Sequence, residues 1–407
     1  MVAATSASKP SLYEPGFLQQ SLPYRVVSYF AEWSIYARNY IVSDLPAPAL
    51  THVNYAFAKI DDQGEVAIVD AWAATDKPFG DDTWDTPLRG NLHALIKLKQ
   101  KYPHISTLIS IGGWSLSDKF SDVAFTDASR QKFAASAVAF MKRYQFDGVD
   151  IDWEYPVSGG LPNNKYRPED SQNYVLLCKT LRQILDTQGA ADGRHYLLTV
   201  AAAAGDDKYA NFKLGEMAPY LDWFNIMSYD YHGSWETQTN HQAALFGNPA
   251  DPSPQGARYS ADYTIQHYIQ LGVPASKIVM GAPIYGRGWA GVGATNNGLF
   301  QSASGASSGT WENGIFDYKD LLQRTQTQPQ SYVVHWDSQA EVPYIYAQGL
   351  ENGLFTTFEN AQSIQKRVEY IKKYGLGGIM FWEASADVKD PASPDSLTGT
   401  AYRGLYQ

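Results

Sequence analysis

Short apolar runs rich in β-branched and aromatic residues recur along the chain, separated by segments whose apolar positions return every three or four residues. The runs are YRVVSYFAEW (24–33), THVNYAFAKI (51–60), ISTLISIGGW (105–114), FDGVDIDWEY (146–155), YLLTVAAAA (196–204), LDWFNIMSYD (221–230), KIVMGAPIYG (277–286) and LGGIMFWEAS (376–385). Runs of this length bounded by turn residues read as buried strands. NLHALIKLKQKYP and RQKFAASAVAFMKRYQ carry instead the spacing that buries one face of a helix. Eight such strands alternating with helices predict an α/β protein, a closed parallel (β/α)8 TIM barrel.

The rhythm breaks once, between the seventh and eighth runs, where the gap exceeds what one helix and two loops need. It holds GVGATNNGLFQSASGASSGTWENGIFDYKDLL, YVVHWDSQAEVPYIYAQ and GLFTTFEN, short alternating pieces set among turn residues. Residues 287–355 are therefore expected to form a small α+β insertion domain between strands 7 and 8, followed by the helix NAQSIQKRVEYIKKYG. The barrel then comprises residues 23–286 and 356–407, after an N-terminal extension over residues 1–22. An insertion at the C-terminal face of a barrel forms a wall of its active site.

One strand carries far more charge than its apolar neighbours allow for. In FDGVDIDWEYP, Asp147, Asp150, Asp152 and Glu154 fall within eight residues. Strand side chains alternate, so Asp150, Asp152 and Glu154 share a face, at roughly 6.5–7 Å between alternate residues, while Val149, Ile151 and Trp153 share the other. The apolar face suits packing against helices, which turns the acids inward. Three ionised carboxylates in a barrel interior are very costly, so at least one should hold a proton near neutral pH and their titrations should couple. Glu154, last in the run, lies at the rim where barrel chemistry occurs and suits a general acid. A lone acid there would more often cap the next helix, and Asp147 before Gly148 reads as a turn residue. Aspartates also ligate hard cations, but no HExxH accompanies them and His232 and His241 lack ligand spacing. No metal and no cofactor is expected.

Composition narrows the partners. Of 407 residues 44% are hydrophobic and 18% charged, which fits a globular protein, and the formal net charge of −10 leaves no basic stripe for nucleic acid. No apolar run is long enough to span a bilayer, and the first residues show neither a basic nor an apolar leader region. Secretion, with the leader not part of this chain, is the expected location, and a cytoplasmic one the alternative. The single cysteine, Cys178 in YVLLCKTL, rules out an intrachain disulfide and reads as a buried helix residue.

Taken together, DGVDIDWE and SIGGW (110–114) resemble the DxxDxDxE and SxGG motifs of family 18 glycoside hydrolases. The resemblance continues through YFAEW, MSYD, YGRGW, GTWENG and FWE, covers the chain from about Pro23, and is closest to bacterial chitinases with an α+β insertion. It implies hydrolysis, with retention, of β-1,4 bonds between N-acetylglucosamine units of chitin or its oligomers, by a monomer. The mechanism implied is substrate-assisted rather than one with an enzyme nucleophile. By position, Glu154 would protonate the glycosidic oxygen and later activate water, as the substrate acetamide closes to an oxazolinium ion. Asp152 would accept the acetamide N–H, Asp150 would share a proton with Asp152, and Tyr229 would hydrogen-bond the acetamide oxygen. Met227 and Asp230 would shape that pocket and Trp382 would floor the sugar. Trp33, Trp114 and Trp235 would be platforms along the cleft, with Tyr29, Arg287 and Glu312 as further substrate contacts, and Ser110, Gly112 and Gly113 as supports beside strand 4.

Aromatic residues make up 14% of the chain, and pyranose C–H faces pack on such surfaces. Trp72, Trp84, Trp223 and Trp336 lie off the motifs and read as rim packing. GASSG (305–309) fits GxSxG, but its small-residue loop lacks the strand and helix of a nucleophile elbow. GVGATN lacks the third glycine of a dinucleotide fingerprint. An endo-β-N-acetylglucosaminidase acting on N-glycans and a non-catalytic chitin-binding protein are the competing readings; the intact acids weigh against the latter.

Overall fold

The structure is a computed structural model that describes residues 23–407; the expected N-terminal extension, residues 1–22, lies outside the described residues. In chain order the strands begin β1 (Arg25–Ala31), β2 (His52–Ile60), β3 (Val66–Ile68), β4 (Ser106–Gly112), β5 (Gly148–Asp152), β6 (Leu197–Ala202), β7 (Trp223–Ile226) and β8 (Ile278–Pro283). There follow β9 (Tyr285–Ala290), β10 (Gly305–Ala306), β11 (Ile315–Asp317), β12 (Val333–Asp337), β13 (Val342–Ala347), β14 (Leu354–Thr357) and finally β15 (Gly378–Trp382). Strands β1, β2, β4, β5, β6, β7, β8 and β15 pair in parallel, and β1 meets both β2 and β15, which closes the barrel. Each of the eight apolar runs supplies one of these strands. The short β3 pairs antiparallel with β2 at its end.

Two apolar clusters follow from the alternation of side chains. Val149 and Ile151 face outward into the layer between sheet and helices, where Phe133, Leu177, Cys178 and Leu181 are fully buried. Inside the barrel, Val27, Tyr29, Trp223, Val279 and Met380 form a second cluster. The interior also carries fully buried Ser110, Asp150, Thr199 and Asn225. Register sets them together, because Asp150 lies between Ser110 of β4 and Thr199 of β6. Cys178 sits in the helix Asp170–Asp192, and burial pushes its thiol far above the usual range.

The remaining strands form a separate antiparallel sheet in the order β10–β9–β14–β13–β12, with β11 also on β9. Its core is Trp289, Val292, Leu299, Tyr344, Tyr346 and Phe355. The chain enters it at Tyr285 and leaves at Thr357. The helix Ala361–Tyr374 then starts at Asn360, whose side chain accepts from Ser363 N–H at 3.0 Å, and ends at Gly375 in the left-handed region, φ 64°.

A buried ion pair joins this exit to the barrel. Arg367 and Glu359 are both without exposure, and the guanidinium Nε donates to Glu359 Oε1 at 3.1 Å while Nη2 donates to the Ala243 carbonyl. Nη1 reaches the Gly281 carbonyl at 3.5 Å, so one side chain ties the helix, β8 and the 231–247 loop. Removing one member strands a charge in a dry interior. Arg367→Ala is expected to cost about 3–5 kcal/mol of unfolding free energy, read by chemical denaturation; a loss below about 1 kcal/mol, the range of exposed pairs, would show the pair to be dispensable.

Candidate active site

Asp150 is the best-anchored acid. Its Oδ2 accepts from Tyr29 at 2.8 Å and Ser110 at 2.7 Å, and its Oδ1 from Thr199 at 2.5 Å and Asn225 at 3.4 Å. These donors come from four other strands and occupy the carboxylate's acceptor positions. Burial nonetheless raises its pKa, with the four hydrogen bonds opposing. A proton shared between Asp150 and Asp152, as expected from the sequence, has to compete with these four donors for Asp150. The expectation of a substrate contact at Tyr29 is corrected. This residue is 1% exposed and supports Asp150 from below, rather than reaching a substrate.

Asp152 stands one pleat nearer the rim. Its Oδ1 is buried with no hydrogen-bond partner, and its pKa is pushed well up by burial, then by Glu154, then by Asp150. An acid in that state is stable as the neutral form or when a ligand N–H arrives. Glu154 follows the strand end and is half-buried. Its pKa is raised to about 7, first by burial and then by Asp230, while a hydrogen bond from Tyr155 acts the other way. Its backbone is fixed by Ser117, whose hydroxyl accepts from Glu154 N–H at 2.9 Å and donates to the Gly113 carbonyl at 2.8 Å.

The SIGGW loop packs tightly against this strand. A Cβ on Gly112 would lie 2.2 Å from the Asp152 carbonyl oxygen, and Gly112 has φ 108°, so only glycine fits. A Cβ on Gly113 would meet the Phe57 ring at 2.6 Å. Asp147 lies at the opposite end of β5. It is a buried ion-pair centre rather than a plain turn residue, 2.9 Å from Lys99 and 2.7 Å from Arg194.

Around the acids, Tyr229 is 8% exposed and its hydroxyl finds only the Met380 sulfur, at 3.8 Å, which leaves it able to bind a ligand acceptor. Asp230 accepts from Tyr285 and from Arg287 Nε, each at 2.6 Å, and the Arg287 guanidinium lies 4.6 Å from the Trp235 ring centre. Arg287 thus pairs with Asp230, and Glu312 is exposed beyond it. Met227 is half-buried against the interior cluster. Trp382 is packed by Tyr29 at 5.4 Å, Phe57 at 5.7 Å and Trp33 at 6.3 Å between ring centres. Trp33, Trp114 and Trp235 are 45%, 47% and 58% exposed, as platforms for a ligand must be.

The four tryptophans assigned to packing divide. Trp223 is buried and donates to Asn225 at 2.9 Å, and Trp336 is half-buried on β12. Trp72 and Trp84 stack on each other at 6.3 Å in solvent, 44% and 69% exposed, and so pack against no core. Ser307 of GASSG is buried and donates to the Ser308 carbonyl, which is no arrangement for a nucleophile. Among the described residues no group of three or more His, Cys, Asp or Glu is placed to hold a metal ion, and no helix is long and apolar enough to cross a membrane. The sequence motifs did not single out Phe57, Ser117, Thr199 or Asn225. For Thr199 and Asn225 the signal was a polar residue facing inward within an otherwise apolar strand.

The sequence profile of glycosyl hydrolases family 18 matches residues 25–387. The chain belongs to that family. Chitinase A1 of Niallia circulans is 42% identical to this family 18 chain, over 92% of it and 58% of the relative, so the chain spans little more than half of that protein. Chitinase 1 of Aphanocladium album is 39% identical over 99% of the chain and 90% of the relative. Among solved structures, chitinase ChiA74 from Bacillus thuringiensis has a TM-score of 0.88 at 37% identity, covering 94% of this chain and 69% of its own. The catalytic domain of psychrophilic chitinase B from Arthrobacter TAD20 gives 0.86 at 29% identity, with 94% and 95% covered.

The raised Glu154 pKa has a stability consequence. The folded value, about 7, lies above the ordinary 4.5, so the linked stability is full below 4.5 and is lost as pH rises through 7. Glu154→Gln, which carries no charge, is expected to gain up to about 3 kcal/mol relative to the parent between pH 5 and pH 8. Denaturation curves at the two pH values test this; a pH-independent difference would place Glu154 at an ordinary carboxylate pKa.

Proposed function

We propose that the protein is a chitinase that cleaves β-1,4 bonds between N-acetylglucosamine units with retention, using the substrate's own acetamide as nucleophile. The observation that carries this reading is the pairing of Asp152, buried with an unpartnered carboxylate oxygen, with Glu154, an acid held near neutrality at the cleft. Asp152 accepts the acetamide N–H and offsets the positive charge that develops as its carbonyl oxygen attacks the anomeric carbon. Glu154 protonates the leaving oxygen and then, as carboxylate, takes a proton from the water that opens the oxazolinium ion. Tyr229 donates to the acetamide oxygen. Trp382 carries the sugar at the cleaved bond, while Trp33, Trp114 and Trp235 extend the binding face, and Arg287 holds Asp230 in place. The relatives' names support chitin as substrate. Neutral chitin suits a chain of net charge −10 that offers no polyanion site, and we expect it to act outside the cell as a monomer.

Glu154→Gln is expected to lower kcat by at least about 10²–10⁴ on soluble N-acetylglucosamine hexamer while leaving oligosaccharide affinity intact. Early products of the parent should be β-anomers; near-normal turnover by the variant, or α-anomers, would overturn the mechanism. Because the acid form of Glu154 is needed, kcat/KM is expected to fall as pH rises through about 7. Asp152→Asn should lose activity severely without a matching rise in KM, and full activity there would point to an enzyme nucleophile elsewhere.

A further inference from the structure

Close in sequence to Trp33, the guanidinium of Arg38 joins three separate pieces of chain. Arg38, in the segment after β1, lies 2.6 Å from Asp317 Oδ1 of the second sheet and 3.8 Å from Glu383 Oε1, the residue after Trp382. Its guanidinium carbon also sits 5.5 Å from the Trp311 ring centre. The other oxygen of Asp317 accepts from Trp311 Nε1 at 2.9 Å, and Asp317 N–H donates to Thr310 at 3.0 Å. Asp317 is thus a node between a barrel cation and an inserted indole, and its side chain is 2% exposed. Nearby, Lys319 reaches the Ser385 carbonyl and Tyr318 the Asp395 carbonyl at 2.8 Å, which continues the seam without touching the cleft aromatics.

These contacts have a directional consequence. Trp33 and Arg38 share one short segment, Trp382 and Glu383 are adjacent, and Trp311 and Glu312 stand on the insertion, so Arg38 sets the spacing between floor and wall. We propose that the Arg38–Asp317 pair is a latch that fixes the insertion wall at Trp311 against the barrel, making Arg38 a positioning residue for long substrates. The proposal rests on the chitinase reading for its substrate, but not for its geometry. Loss of Arg38 leaves the Asp317 carboxylate buried beside Trp311 without a cation, which favours withdrawal of that wall toward water. A sugar chain long enough to reach the wall at Trp311 loses a preorganised surface. A short one held only at Trp382, Asp152 and Glu154 does not.

The test compares the parent with Arg38→Ala, Arg38→Lys and Asp317→Asn on two substrates, a chromogenic glycoside of the N-acetylglucosamine dimer and the hexamer. Arg38→Ala and Asp317→Asn are expected to raise KM for the hexamer about tenfold, with kcat on both substrates and KM on the short glycoside within about twofold. Arg38→Lys, which keeps the charge but not the planar fork, should recover part of the loss. A parallel hydrogen-exchange measurement should show residues 310–317 exchanging faster in Arg38→Ala while the barrel strands stay protected. Equal losses on the two substrates, an unchanged hexamer KM, or unchanged exchange at 310–317 overturns the latch. A parent that cleaves neither substrate rejects the chitinase reading instead, and exchange at 310–317 then decides the latch alone.

Discussion

A carboxylate without solvent at the centre of a barrel is the constraint on which the site depends. Asp150 has no exposed surface, and an unsatisfied charge there would cost several kcal/mol. The fold meets this with hydroxyl and amide donors drawn from β1, β4, β6 and β7 around β5. Those donors need the strands in one register, so the polar cage and the barrel's closure are the same requirement seen from two sides. An ordinary barrel interior is a layer of branched apolar side chains; here part of that layer is given over to holding one acid.

What Asp150 receives, Asp152 and Glu154 go without. The donors are spent one level below, so Asp152 keeps an unpartnered oxygen and Glu154 feels burial that only Tyr155 relieves. Along this stretch, from a fully ligated acid to a starved one to one raised to about 7 past the strand end, three environments arise without any change of residue class. The glycines of SIGGW serve the same end by letting Ser117 fasten the backbone of Glu154.

Much of this was legible in the sequence because it follows from period two. The spacing of Asp150, Asp152 and Glu154 put them on one face, and the eight apolar runs gave the barrel strands. What pattern alone missed are partners that depend on neighbouring strands. Thr199 and Asn225 stand out in their own runs only as polar residues among apolar ones, and they acquire a partner only when β6 and β7 lie beside β5. Tyr29 was misread for the same reason: a tyrosine of the strand-1 motif counts as a substrate contact until the register shows it donating to Asp150. Whether a tryptophan is a platform or packing likewise depends on what covers it. Trp72 and Trp84 found each other in solvent, while Trp223 found the barrel interior.

The lone Cys178 bears on where such a molecule can work. It lies sealed between sheet and helices with its thiol held far from ionisation, and there is no second cysteine to meet it. Nothing that holds the fold together is therefore a sulfur–sulfur bond, and thiolate chemistry is shut off while the native state persists. The fold of this chain therefore does not depend on keeping a disulfide oxidised.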